Sequence, residues 1–286
     1  MALQLLLNGL ILGSIISLGA IGLSLIYGIL NFGHFAHGDL MTLGAYFAYL
    51  FTVQLALPLP VAFIIAALLT ALTANLLNQI LYRHLKERDS VTIMISAVGA
   101  ALIIRNLIQM VWGPQLKFYD RSIQMPVVLF NGLLRIKPTQ ITILILSAVL
   151  VIGVHLFLSK TKLGKAMRAM SDNTPLAQIT GINTQQVIFW TWVMSGVLTS
   201  SAGILLAMDT HLIPIMGWNL LLPMFAAVIL GGIGSPYGAM FGGLVIGISQ
   251  ELSTIFISAS YKPGIAFAIM ILMLLIKPSG IMGRKV

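Results

Sequence analysis

The sequence contains no cysteine and very little charge. Of its 286 residues only 8% are charged, whereas 58% are hydrophobic, and the mean hydropathy is +1.01. Soluble domains carry roughly 25% charged residues, so this chain has too little charge to cover its apolar residues with a polar surface. The lack of cysteine excludes disulfides, thiol nucleophiles and thiolate metal sites. These shortages exclude an ordinary cytosolic enzyme, and the high hydrophobicity excludes a disordered chain.

Long apolar stretches recur along the whole chain. About 20 apolar residues are needed to cross roughly 30 Å of hydrocarbon, and nine stretches are candidates. Their approximate bounds are 3–30, 40–57, 60–82, 91–112, 139–159, 186–208, 220–231, 237–257 and 264–276. The seventh is too short for a complete span, so we expect a broken or re-entrant helix there. The sequence therefore predicts a single all-α domain over 1–286, a polytopic integral membrane protein with about eight or nine transmembrane segments.

The positive charges divide unequally between the two sides of this predicted bundle. If the nine segments alternate in direction, ten basic residues fall on one side, namely Arg83, Lys86, Arg88, Lys160, Lys162, Lys165, Arg168, Lys277, Arg284 and Lys285. Five fall on the other, namely Lys117, Arg121, Arg135, Lys137 and Lys262. The positive-inside rule then predicts an external N-terminus and a cytoplasmic C-terminus. Because the charge is dispersed over loops, it gives no reason to expect a nucleic-acid partner.

A polar, glycine-containing stretch separates the first two apolar segments. It contains Gly33, His34, His37, Gly38 and Asp39. Two histidines and a carboxylate can ligate zinc, but no further ligand group is evident, so we predict no metal site. We favour a helix break in which the histidines bond exposed backbone groups and the two glycines permit close packing. Such a break could hold a substrate's charged groups, and a proton relay through His37 and Asp39 remains an alternative.

A second break is expected after the short seventh segment. Gly231, Gly232 and Gly234 precede Ser235 and Pro236, a cluster that favours a local turn and close helix packing. A dinucleotide-binding loop is excluded because the cluster lacks a strand–loop–helix context.

Two charged residues lie inside predicted membrane segments. Arg105 lies about 13 residues into one outward-running helix, and Glu251 about 14 residues into another. At a rise of about 1.5 Å per residue, the two residues therefore lie at similar depth. We therefore predict that they face each other as a buried pair lining a substrate path. A purely structural pair, or an Arg105 side chain extended to the outer interface, is the alternative.

The segment 160–184 is longer than a connecting turn requires. Gly164 opens it, and Asp172 or Asn173 caps a second short helix that has Pro175 in its first turn and Gly181 at its end. A helix–break–helix of this kind suits docking into a groove on a partner. The alternative is a basic loop that only sets the orientation of the chain in the membrane.

Three motifs of this chain resemble one transporter family. They are the Leu-Gly-Lys-Ala-Met-Arg-Ala run at 163–169 with Gly-Ile-Asn-Thr at 181–184, the stretch at 33–39, and the glycine-rich stretch at 230–239 with Gly242, Gly243, Gly247 and Glu251. They resemble, in the same order, the motifs of branched-chain amino-acid ABC importer permeases, the LivH class. The chain departs from that pattern at His34 (commonly Asn), Asp39 (commonly Glu) and Arg105 (often Gln).

The resemblance implies a transport subunit of the bacterial plasma (inner) membrane. Such permeases pair with a second homologous permease, two cytoplasmic ATP-binding subunits and an extracytoplasmic substrate-binding protein. The chain has no G-x-x-x-x-G-K-[ST] motif, so ATP would be used by the partner subunits, with no cofactor held here and no enzyme activity. The residues expected to couple the permease to ATP hydrolysis are Gly164, Arg168, Ala169, Asp172 and Gly181.

The substrate and the driving force leave alternatives. The related urea permeases share the glycine and histidine motifs, so urea or another small polar solute is one alternative to a branched-chain or neutral amino acid. An ion-coupled secondary transporter that uses His37, Asp39 and Glu251 is the other.

Overall fold

Helices form almost all of the structure, a computed structural model that describes residues 2–85, 88–119, 125–129 and 134–283. The helices are α1 (Ala2–Leu30), α2 (His37–Tyr49), α3 (Leu59–Leu77), α4 (Arg83–Leu85), α5 (Ser90–Trp112), α6 (Pro138–Lys160), α7 (Lys162–Asp172), α8 (Thr174–Ile179), α9 (Thr184–Asp209), α10 (Met216–Gly231), α11 (Pro236–Ser253) and α12 (Lys262–Ile276). Wider π-helical turns extend α2 over Leu50–Gln54 and α3 over Asn78–Tyr82, and a 3₁₀ turn, Ala259–Tyr261, precedes α12.

A small hairpin interrupts the helical pattern between α5 and α6. Its strands, β1 (Val127–Leu129) and β2 (Leu134–Ile136), are antiparallel, and Val128 lies opposite Arg135.

The predicted fold class is confirmed, since each of the nine predicted segments is a helix. Within the described residues, six helical stretches are long and apolar enough to cross a membrane: Ala2–Leu30, Leu59–Leu85, Ser90–Trp112, Pro138–Lys160, Thr184–Asp209 and Ala259–Ile276. The seventh predicted segment is α10, a 16-residue helix with Pro223 in its interior. Four basic residues used for the orientation, Lys86, Arg121, Arg284 and Lys285, lie outside the described residues.

Two helices form the centre of the bundle. In the most apolar window of α1 83% of the residues are buried, and in that of α9 78%, against 6% for α12. The two central helices pack on each other, α1 also contacts α10 and α11, and α9 also contacts α2 and α3. Helix α2, which begins at His37, packs on α9 of this central pair.

Small residues allow α1 and α11 to touch along their backbones. A methyl group at Gly13 would lie 2.9 Å from the Leu244 Cα atom, and one at Gly247 would collide with the backbone of Gly13. The Ser17 hydroxyl donates a hydrogen bond to the Met240 carbonyl at 2.7 Å. Small residues drive such contacts in membranes because lipid supplies no hydrophobic force between helices.

The predicted break after α10 is confirmed as a tight turn. Gly232 and Gly234 have φ of +107° and +79°, a region that favours glycine, and the Ser235 hydroxyl caps α11 by accepting from the Gly238 N–H at 3.1 Å. The end of the bundle that carries this turn and helices α7 and α8 is named here the α7–α8 end.

We predict that Gly247→Val destabilises the folded protein by about 1–3 kcal/mol, because the added side chain must push α11 away from α1. Gly153→Val is the matched control, since a side chain at Gly153 on α6 meets no atom within 4 Å. Both substitutions change the helix propensity equally, so that term cancels. Heat stability in detergent, followed by the monodisperse fraction on size exclusion, measures the difference; equal stability of the two variants would contradict the contact.

Candidate functional site

The break between α1 and α2 places the start of α2 beside the middle of α1. Asn31 follows α1 with a positive φ of 56°, and the chain then returns into the bundle. The Nε2 atom of His37, the first residue of α2, lies 2.9 Å from the carbonyl oxygen of Gly19 and 3.0 Å from the Thr199 hydroxyl. Gly19 lies 11 residues before Leu30, the end of α1, which is about 16 Å along a helix. The first turn of α2 therefore lies inside the bundle.

His34 precedes His37 in the same break and lies within a cluster of aromatic rings. Its Nδ1 atom is 3.1 Å from the Tyr82 hydroxyl, and its ring meets Trp192 edge-on with centroids 5.1 Å apart. Tyr82 and Trp192 stack on each other at 5.2 Å. The Nε2 atom of His34 and the Nε1 atom of Trp192 are buried without a hydrogen-bond partner.

The two glycines of the break differ in their role. A methyl group at Gly38 would lie 2.5 Å from the carbonyl oxygen of Gly217, so close packing of α2 on α10 requires glycine there. A methyl group at Gly33 would meet only ordinary contacts, 3.6–3.7 Å from the Phe35 and Phe225 rings. The close packing expected of both glycines is therefore found at Gly38, whereas the space beside Gly33 would accept a methyl group in ordinary contact with two aromatic rings.

Arg105 forms a two-point ion pair with Asp39. Its Nε and Nη2 atoms donate to the two carboxylate oxygens at 2.9 and 3.0 Å. Its guanidinium also lies 4.7 Å from the ring centroid of Trp218, in the first turn of α10. Asp39 is fully buried and the Arg105 side chain is 13% exposed. The pair joins α2 to α5, and the planar guanidinium fits both a carboxylate and an aromatic face.

The predicted pairing of Arg105 with Glu251 is wrong. Glu251 bonds Lys262 at the start of α12 instead. The helix of Arg105, α5, packs on α2, whereas the helix of Glu251, α11, packs on α1, α10 and α12. A similar depth fixes only the position along the helix axis, and it leaves the direction of the side chain around that axis undetermined.

Five polar side chains in and beside the break are named here the polar column. Arg105 and Asp39 form an ion pair on one side of α2. His37 lies two residues before Asp39 on the same helix, its ring 5.9 Å from that of His34, which in turn contacts the Tyr82 hydroxyl. Asp39 and both histidines are completely buried. Charged and polar groups in a membrane segment are costly and mark transport paths. Within the described residues, no three His, Asp or Glu side chains form a cluster that could hold a metal ion.

The contacts that the aromatic and hydroxyl side chains make with the column were not predicted from the sequence. Tyr82, Thr199 and Trp218 lie on three helices far apart in the chain, so spacing could not associate them with the histidines. Tyr82 and Trp192 each lie in an apolar stretch where an aromatic residue is unremarkable. The column therefore becomes visible only when the helices are packed together.

Helices α7 and α8 adopt the predicted helix–break–helix arrangement. Thr161 caps α7, and the Asn173 side chain caps α8 by accepting from the Leu176 N–H at 3.0 Å, so Asn173 rather than Asp172 is the cap. Gly181 follows α8 with a φ of +84°. A methyl group at Gly164 would collide with the carbonyl oxygen of Phe157, so glycine lets α7 fold back against the end of α6.

The two helices combine a buried face with an exposed one. Gly164, Met167 and Met170 are buried. Two apolar residues of α8 are exposed, Leu176 at 58% and Ile179 at 84%. Arg168 and Asp172 are also exposed, and Ala169 is half-buried. The segment therefore presents two exposed apolar side chains near the positively charged Arg168 at one end of the bundle.

The helical bundle contains buried polar groups and helix breaks, and it carries a helical segment at one end. These features together are those of a polytopic membrane transport protein. The chain belongs to the family described as "Branched-chain amino acid transport system / permease component", which matches residues 5–274.

Several proteins are similar to this chain over nearly their whole length. The high-affinity branched-chain amino acid transport system permease proteins LivH of Salmonella typhimurium and Escherichia coli are each 32% identical over 99% of this chain and 96% of their own. BraD of Pseudomonas aeruginosa has the same identity and coverage. The structure of PsaBC from Streptococcus pneumoniae in complex with Fab shares the fold, with a TM-score of 0.56 at 17% identity over 98% of this chain and 93% of that one.

We predict that Asp39→Asn lowers stability by about 3–5 kcal/mol, because it leaves the Arg105 guanidinium without its carboxylate. Arg105→Gln has a comparable effect, and the double variant loses less than the sum of the two. Glu251→Gln is the control, since its partner Lys262 is 26% exposed and keeps access to water. The heat stabilities of wild type, the two single variants and the double variant give the coupling energy of the pair. Additive losses of stability would show that the pair is not coupled.

Proposed function

We propose that this chain is the membrane-spanning permease subunit of an ATP-driven ABC importer for branched-chain or neutral amino acids in a bacterial inner membrane. The observation that carries the proposal is the similarity to the LivH and BraD permeases over 99% of the chain. The motifs at 33–39, 163–169 and 230–239 support it, since each coincides with a structural feature described above: a break, a surface segment and a turn.

The proposed complex contains a second homologous permease, two ATP-binding subunits and an extracytoplasmic binding protein. ATP is used by the partner subunits, which agrees with the lack of a G-x-x-x-x-G-K-[ST] motif in this chain. In the proposed orientation the N-terminus is external, and the C-terminus and the α7–α8 end are cytoplasmic. The basic residues of α7 support this orientation.

The proposed coupling site is the α7–α8 segment, with Gly164, Arg168, Ala169, Asp172 and Gly181. Its exposed apolar residues, Leu176 and Ile179, suit an apolar groove on an ATP-binding subunit. A movement of α7 reaches the transmembrane helices directly. A methyl group at Gly28, near the end of α1, would lie 2.9 Å from the Ser171 hydroxyl oxygen and 3.0 Å from the Gly234 Cα atom.

The proposed substrate path follows the polar column, with His34, His37, Asp39 and Arg105 along it. In this structure their side chains are packed against protein groups, so the path is closed between α2, α9 and α10. Displacement of α7 would shift the end of α1 and the turn between α10 and α11. This shift would open or close the path, which is an alternating-access mechanism. Glu251, with Lys262, belongs to the end opposite α7 and α8, where the path would begin.

We predict that the complex reconstituted with its ATP-binding subunits and binding protein takes up leucine, isoleucine or valine only when ATP is hydrolysed. Uptake of urea and of a charged amino acid, compared with these substrates, measures the selectivity. A non-hydrolysable ATP analogue is the control for the driving force. Urea uptake would favour the alternative substrate. Uptake by the chain alone without ATP would replace this proposal with a secondary transporter.

We predict that Ile179→Glu reduces ATP-dependent uptake about tenfold or more, because a charge enters an apolar contact with the ATP-binding subunit. The variant remains folded, since Ile179 is 84% exposed. Gln178→Glu is the matched control: it adds the same charge to an exposed neighbour on α8 and keeps both apolar residues. Co-purification of the ATP-binding subunit and uptake are measured together, and normal values for Ile179→Glu would remove α8 from the interface.

A further inference from the structure

A cavity of about 240 Å³ lies next to the polar column at the α7–α8 end. Its walls come from the last residues of α1, the π-helical end of α3, and the first turns of α5 and α9. Tyr82 belongs both to the cavity wall and to the column. Small-molecule pockets are usually about 300–1,000 Å³, so this volume suits a small solute.

The lining divides into an amide-rich side and an apolar side. Asn75, Asn78, Gln79 and Gln185 supply side-chain amides, and Arg83 supplies the positive charge. The apolar wall is formed by aliphatic and aromatic side chains such as Phe32, Ile93 and Ile188. None of the lining residues is acidic. The cavity therefore offers a cation, several neutral hydrogen-bonding groups and an apolar surface.

Asn75 lines the cavity and carries an unpaired hydrogen-bond acceptor. The residue is 5% exposed, and its Nδ2 atom donates to the Ala71 carbonyl of its own helix at 3.1 Å. Its Oδ1 atom is buried without a partner. Because a buried polar atom without a partner is destabilising, it calls for a group that satisfies it. Because Asn75 lines the cavity, a rotation of its amide would bring this atom to a donor bound there.

We propose that this cavity binds the transported amino acid on the α7–α8 side, with the ammonium on Asn75 Oδ1, the carboxylate on Arg83 and the side chain on the apolar wall. Arg83 follows Asn75 by eight residues, about 12 Å along the helix. Helical side chains incline toward the N-terminus of their helix, and an arginine is long enough to cover much of the distance to Asn75. This inference rests on the proposed function and adds a site within the permease itself.

The opening of the cavity is at the α7–α8 end. Gln79, Arg83 and Gln185 are exposed, whereas Asn75 and Tyr82 are buried. Beyond Tyr82 the closed polar column separates the cavity from the other end. In the orientation proposed above, the structure is the cytoplasm-facing state, and the cavity holds the solute before its release.

The first test is binding of radiolabelled leucine to the complex of this chain with the second permease and the ATP-binding subunits, without nucleotide or binding protein. Wild type binds leucine better than leucinamide, which lacks the carboxylate, and 4-methylpentanoate, which lacks the ammonium. Asn75→Leu weakens leucine binding about tenfold and abolishes the preference over 4-methylpentanoate. Arg83→Gln abolishes the preference over leucinamide.

Asn106→Leu is the matched control. Asn106 is an exposed residue of α5, and its Nδ2 atom also donates to the carbonyl four residues earlier, at 2.7 Å; the variant should bind leucine like wild type. Unchanged binding by Asn75→Leu, or no saturable binding by wild type, would overturn the cavity proposal while leaving ATP-dependent uptake to decide the proposed function separately.

A second measurement does not depend on the folding of Asn75→Leu. Because the natural chain lacks cysteine, Asn78→Cys supplies a single thiol in the cavity wall. Leucine should slow its reaction with N-ethylmaleimide and should leave the reaction of Lys277→Cys, exposed after α12, unchanged. Equal rates with and without leucine at Asn78→Cys would count against the site.

Discussion

The architecture depends on one constraint: the start of α2 lies inside the bundle, so its polar groups must be satisfied by other helices. A membrane interior offers no water for the ends of a broken helix. His37 therefore bonds a backbone carbonyl in the middle of α1 and a hydroxyl on α9, and Asp39 takes its partner from α5. Each of these bonds fixes one neighbouring helix relative to α2. The position of four helices thus follows from satisfying one break.

Small residues make this arrangement sterically achievable. Hydrogen bonds of about 3 Å between a short side chain and a neighbouring backbone require helices that touch without intervening side chains. A methyl group at Gly22 would lie 3.2 Å from the His37 ring, and one at Gly38 would press on Gly217. Large side chains at these positions would separate the helices and leave His37 and Asp39 without partners. The glycines and the buried polar groups therefore depend on each other.

The sequence predicted the features that arise within one segment. The positions of the helices, a cap at Asp172 or Asn173, Gly181 after α8 and the turn at Gly232–Gly234 follow from local composition, because their causes lie within a few residues. The partner of Arg105 could not be predicted this way. Its choice of Asp39 over Glu251 depends on which helix faces α5, and that is decided by packing over the whole bundle. The contacts of Tyr82 and Trp192 with His34 went unpredicted for the same reason.

The unpaired polar atoms show that stability alone does not explain this interior. His34 Nε2, Trp192 Nε1 and Asn75 Oδ1 are buried without partners, and each such atom costs about 1–3 kcal/mol. Apolar residues of similar shape would remove that cost. His34 and Trp192 adjoin each other, and Asn75 shares a cavity with Tyr82, which contacts both. Three of the nine buried unpaired atoms among the described residues therefore lie where the polar column meets the cavity, the region in which the proposed path would exchange protein contacts for contacts with a polar solute.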